Sequence, residues 1–128
     1  MYYAATPVDV EVPALLIRIN RLYRHNMTPL ELYEATRGVW KLGARCTKAQ
    51  YAFAVFEGVV REVYAIESWH PAATTPYTTR DASQLKTAGR REFLGRVVDA
   101  RVRDAYVGRS VASEFPQGLQ SPVVYVNC

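Results

Sequence analysis

The stretch "YAFAVFEGVVREVYAI", Tyr51 to Ile66, constrains this chain more than any other. Two runs of β-branched and aromatic residues are separated by Glu57-Gly58, the length of a tight two-residue hairpin turn. The first run, Tyr51 to Phe56, is apolar on both faces however it is pleated. Such a strand has to be covered on both sides, inside a curled sheet or barrel with helices packed against it.

The flanking sequence supplies the partners. Pro7 and Pro13 bracket a polar lead-in, after which "ALLIRIN" reads as a strand with Leu15, Ile17 and Ile19 on one face and Arg18 and Asn20 on the other. "TPLE" predicts a helix start, with Thr28 as N-cap, Pro29 in the first helical position and Glu31 closing a capping box. Gly38 ends that short helix, and "VWKL" behind it reads as a short strand carrying Trp40 between Arg37 and Lys41. "REFLGRVV" reads as a strand with Gly95 as a bend, "DARVRDAY" as a helix, "SVASEF" as a helical turn and "SPVVYVN" as a last strand. The class is α+β: a curled sheet or β-barrel with short flanking helices in one domain over residues 1–128, of which 1–12 are the lead-in. Between Trp69 and Gly89 runs a stretch with two prolines and five threonines, long enough to be a binding lid or an idle insertion.

Charge is distributed unevenly along the chain. The net charge of +4 is modest, yet seven basic residues against two acidic fall between Arg18 and Lys48, and eight against four between Arg80 and Arg109, Lys86 among them. Both clusters contain aromatics, and nucleic-acid surfaces combine cations for phosphates with flat rings for bases. Thirteen of the 16 basic residues are arginine, the side chain suited to forked phosphate contacts. No apolar run approaches the ~20 residues of a membrane span, and the start lacks a basic and apolar leader pattern, so the expected compartment is the cytoplasm. Cys46 and Cys128 stand apart and read as free thiols in a reducing interior.

Catalytic signatures are sparse. Cys46 with His25 or His70 is the conceivable nucleophile and base, and the same residues with Cys128 are scattered candidates for zinc, without ligand spacing. No P-loop, H-E-x-x-H, G-x-G-x-x-G or G-x-S-x-G stretch occurs. Glu31 and Glu34 share a helix face and read as solvated surface. The pattern therefore favours a binding module without cofactor or metal over an enzyme.

The order of elements, and above all "TPLELYEATRGVWKLGARCTKAQYAFAVFEGVVREVYAIESW", resembles the PUA-like superfamily, nearest its EVE and YTH branches. In YTH proteins a tryptophan just past the helix lines a cage for a methylated base. That resemblance implies a base pocket with Trp40 as one wall and Trp69 as the opposite one. Arg91 stands where the strand in related folds usually opens with an aromatic residue. A second resemblance, carried by "LLIRINRLY", "ELYEATRGVWK", "YAFAVFEGVVREVY" and "SPVVYVNC", is to a small bacterial domain found alone or behind LEM-like GIY-YIG nuclease domains. It implies a nucleic-acid accessory module with a possible nuclease partner; no GIY and YIG pair occurs in this chain. The expected function is thus a nucleic-acid-binding module that reads a base, modified or not, in DNA or RNA. Trp40, Trp69, Asn20, Tyr77 and Asn127 are the candidates for the base pocket, and Arg18, Arg37, Lys41, Arg80 and Arg91 for flanking phosphates. The alternatives are a regulatory or protein-interaction subunit whose aromatic groove accepts a peptide, and a nuclease-associated nucleic-acid processing protein.

Overall fold

The computed structural model describes residues 5–85 and 87–128; the first four residues of the lead-in and Lys86 of the second basic cluster lie outside the described residues. The elements follow the order β1 (Ala14–Arg18), α1 (Pro29–Arg37), β2 (Trp40–Lys41), β3 (Tyr51–Phe56), β4 (Val59–Pro71), β5 (Arg90–Val97), α2 (Ala100–Tyr106) and β6 (Val123–Val126). Single 3-10 turns lie at Ala44–Lys48, Ala82–Gln84 and Ala112–Glu114. The six strands form one mixed sheet in the order β2-β5-β4-β3-β1-β6, curled into a nearly closed barrel. This is the α+β curled sheet with short helices that the central hairpin demands.

The hairpin forms as its sequence predicts. Phe56 pairs with Val59 and Tyr51 with Ala65, and both turn residues have positive φ, 51° at Glu57 and 79° at Gly58. A tight hairpin turn requires this to match the twist of the strands. Glu57 lacks the freedom of glycine, and its N–H is tied down by a bond to Asn20 Oδ1 at 3.1 Å.

β3 separates two apolar clusters. Phe53 and Val55 pack with Leu16, Val60, Val63 and Tyr106 of α2, whereas Ala52 and Ala54 face Leu15, Ile17, Tyr64 and Phe93, with Leu32 and Tyr33 of α1 against them. Burying each large side chain contributes roughly 1.5–3 kcal/mol. β1 lies between β3, to which it runs parallel, and β6, so Leu16 is buried along with the expected Leu15, Ile17 and Ile19. The expected polar face of β1 is therefore confined to its end, at Arg18 and Asn20. The described part of the lead-in is packed against the barrel, since Val10 is buried and Val8 N–H donates to Ser110 O. No described helix is long and apolar enough to cross a membrane.

α1 is fixed at its start by the predicted capping box: Glu31 N–H donates to Thr28 Oγ1, and Thr28 N–H to Glu31 Oε1. It is fixed to the sheet where β4 and β5 shift register between Ile66 and Ser68. Gly95 lies opposite Ile66, and its N–H donates to Tyr33 Oη at 2.9 Å. A Cβ at Gly95 would fall 2.1 Å from the carbonyl oxygen of Ala65, so the two strands approach only because no side chain is there. Gly95→Ala is expected to lower the unfolding free energy by about 1–3 kcal/mol, as overpacking does, measured by urea denaturation. A parental midpoint would show that the strands have room to part.

Candidate functional site

The end of α1 is held by a buried ionic cluster. Arg37 and Glu92 are 1% and 0% exposed, with Arg37 Nη1 3.6 Å from Glu92 Oε2. The segment after β4 supplies the remaining bonds. Ala73 and Thr75 N–H, Thr75 Oγ1 and Tyr77 Oη all donate to the Glu92 carboxylate. Arg37 donates to Thr75 Oγ1 and Pro76 O while its guanidinium lies 3.8 Å from the centre of the Tyr77 ring. One turn earlier, Glu34 accepts from Thr78 N–H at 2.8 Å and from the N–H and hydroxyl of Thr79, each at 2.6 Å. Arg80 closes the cluster by donating to the carbonyls of Glu34 and Gly38.

Several expectations change here. Glu34, expected on a solvated helix face, is buried because it receives the threonines of the long loop. β4 runs on through Trp69 to Pro71, so the loop starts later than expected, and it is fastened to α1 and β5 instead of lying free as a lid. Arg37, Arg80 and Tyr77 serve this clamp and line neither of the cavities described below. Asn127 is likewise committed: its Nδ2 donates to Val10 O and Val12 O and ties the lead-in to the end of β6.

Burial pushes the Glu34 carboxyl upward, but the bonds from Thr79 and Thr78 and the charge of Arg37 outweigh it and leave it below its ordinary value. For Glu92, burial again acts upward and is overcome by Thr75, Ala73 and Tyr77. Burial, together with the bond to Glu92, raises the Tyr77 hydroxyl, which stays a donor.

Past the clamp the chain enters β2, whose register sets Trp40 opposite Arg91 and Lys41 opposite Arg90. The two basic stretches of the sequence thus meet on one ladder. Trp40 Nε1 donates to Thr36 O at 2.7 Å, fixing the indole against the end of α1. Its ring packs partly on the core and also walls a cavity of about 500 Å³. Asn20, Arg18, Arg21, Gln120 and Pro122 line the same space. Because β2 and β6 are the two free edges of the sheet, residues beside both edges meet here, at the seam where the barrel fails to close. Asn20 Oδ1 is occupied by Glu57 N–H, which leaves its amide N–H groups for a ligand. Arg18 is braced by Leu119 O and Ser121 O and stacks on Phe115. Arg21 is exposed, and neither it nor Arg18 has a carboxylate partner among the described residues.

Trp69 is elsewhere. It lies across β5 from Trp40, opposite Phe93, and walls a separate cavity of about 440 Å³ with Leu42, His70, Pro71, Arg90 and Arg91. The expectation that the two tryptophans are opposed walls of one site is therefore not met. They are separated by the width of β5, roughly 10 Å at the usual strand spacing. Arg21, Gln120 and Arg90 are residues that sequence reasoning did not single out. Arg21 and Arg90 carried only the signal of belonging to the two basic clusters, and Gln120 carried none.

The histidines and cysteines do not converge on a metal: no group of three potential ligands occurs among the described residues. Burial raises the Cys46 thiol despite Arg91 nearby, the opposite of what activates a nucleophilic cysteine. Compared with protein-family models, curated proteins and solved structures, the chain matches none.

Two outcomes are expected of the clamp. Arg37→Ala leaves Glu92 buried without its partner and should lower the unfolding free energy by about 3–5 kcal/mol in urea denaturation. Both glutamates titrate below the ordinary value of 4.5, so their contribution is present above that pH and is lost as pH falls through the lower native values. The amides of Thr78 and Thr79 should then lose exchange protection in acid before those of β3. If both sets open together at every pH, the clamp has no separate acid transition.

Proposed function

We propose that this protein binds single-stranded nucleic acid and takes a base into the cavity at the barrel seam. One observation carries the reading. The cavity combines a half-buried tryptophan face, two amide side chains and two arginines, with no carboxylate in its lining. A flat, hydrogen-bonding, anionic ligand suits such walls. Trp40 stacks on the base, worth ~1–3 kcal/mol. Asn20 and Gln120 reach its polar edge, and Arg18 and Arg21 meet phosphate oxygens. The fixed indole N–H of Trp40 means that little side-chain freedom remains to be lost on binding. A methyl group on the base would add about 0.8 kcal/mol if its carbon were buried against the ring.

The test is titration with a panel of modified and unmodified single-stranded oligonucleotides, in DNA and RNA, at several salt concentrations. Trp40→Ala should weaken binding by ~1–3 kcal/mol. Arg21→Gln, at an exposed position, should weaken all sequences alike and reduce the salt slope by about one. Binding of peptides with no salt dependence, and of no oligonucleotide, would replace this reading with that of a protein-interaction module.

A further inference from the structure

The cavity beside Trp69 shares three features with the one at the seam. It has one tryptophan, two arginines (Arg90 and Arg91) and no carboxylate among its lining residues. Like the arginines of the seam, these two have no carboxylate partner among the described residues. Arg90 Nη1 donates weakly to Val39 O at 3.3 Å, and Arg91 Nη1 lies 4.0 Å from Cys46 Sγ. β2 borders both cavities, and its exposed Lys41, paired with Arg90, alternates to the face opposite Trp40. Trp40 and Leu42 therefore belong to neighbouring cavities while standing two residues apart, roughly 7 Å along an extended chain. Both tryptophans also pack against the same apolar cluster.

We infer that the cavity at Trp69 is a second nucleotide subsite, so that the protein takes two adjacent nucleotides, one at Trp40 and one at Trp69, with Arg91, the ladder partner of Trp40 and a lining residue of the second cavity, meeting the phosphate that links them. The inference rests on the proposed nucleic-acid reading and extends it from one base to a step. The two hollows carry four arginines between them, Arg18 and Arg21 in one and Arg90 and Arg91 in the other, with no carboxylate in either lining. An indole in each hollow gives each base a stacking face, and the separation of roughly 10 Å across β5 rules out a sandwich of a single base between the two rings. His70 leaves one ring nitrogen for the second base, since its Nε2 already meets Ser68 Oγ at 2.8 Å.

The experiment is a length series: mixed-sequence single strands of one to four nucleotides, in ribose and deoxyribose form, titrated into the whole chain at low salt. The parent should gain about five- to a hundredfold in affinity between one and three nucleotides, the worth of one further stacking contact. Trp69→Leu and Arg91→Gln should each remove most of that gain, and Trp69→Phe should retain it. Because Trp69 packs on Phe93, thermal unfolding of each variant is followed in parallel. A direct readout uses the fact that the chain has two tryptophans: in Trp40→Phe the remaining indole, Trp69, should be quenched by a trinucleotide. Binding that depends on Trp40 but gains nothing with length, or leaves Trp69 emission unmoved, overturns this inference alone. Failure of every oligonucleotide to bind overturns the underlying reading and this inference with it.

Discussion

A guanidinium and a carboxylate almost wholly removed from water, Arg37 and Glu92, are the constraint that the rest of the structure serves. Ion pairs at such depth lose so much hydration that their mutual attraction offsets it only when the remaining donors and lone pairs are also met. Here a threonine-rich loop meets most of them, with main-chain and hydroxyl donors to Glu92 and two acceptors for Arg37, whose Nε alone is left without a partner. Glu34, one turn up the helix, binds the next two residues of that loop. What looks in sequence like a featureless insertion is the ligand shell of two buried carboxylates. The clamp also fixes the end of α1, and Trp40 hangs from that end by its bond to Thr36 O. The orientation of the indole is thus an indirect consequence of an ion pair it does not touch.

The barrel was legible where local pattern and tertiary demand agree. The apolar run at Tyr51 to Phe56 could only be a strand covered on both sides, and Thr28, Pro29 and Glu31 mark a helix start through bonds made within one turn. Arg37 shows the opposite case. Nothing in its neighbourhood distinguishes it from twelve other arginines, because Thr75 and Glu92 lie beyond β2, β3 and β4 in the chain and only the folded sheet brings them to it. Reading it as a phosphate ligand was reasonable for an arginine beside a tryptophan, and the fold uses it differently. Glu34 and Tyr77 were illegible for the same reason.

The two tryptophans show how register decides a site. Each has a sheet partner on β5, Arg91 for Trp40 and Phe93 for Trp69. Residues that flank one strand on the same face lie side by side, whereas walls of a sandwich must face each other across a gap. Sequence order alone places both rings near the end of an apolar strand, but only the ladder reveals that β5 runs between them. Arg91, which looked like a departure from an aromatic position, is the ladder partner of Trp40 and, with Arg90, gives the second cavity its charge.

The seam itself follows from the shortness of β2. Two residues suffice to pair with β5 but leave no ladder to spare for a further strand, and on the other side Pro122, with no N–H to donate, stands just before β6. The sheet therefore curls without closing, and the gap is lined by what each edge presents: an indole from β2, amides from the segments after β1 and before β6, and the arginines at and just past the end of β1. A longer β2 would have stitched the edges together and filled the space with backbone hydrogen bonds. The open seam instead offers a flat apolar wall with directed donors around it, the arrangement on which the proposed base site rests, while the two residues of β2 are too few to hold an extended peptide as an added strand on that side.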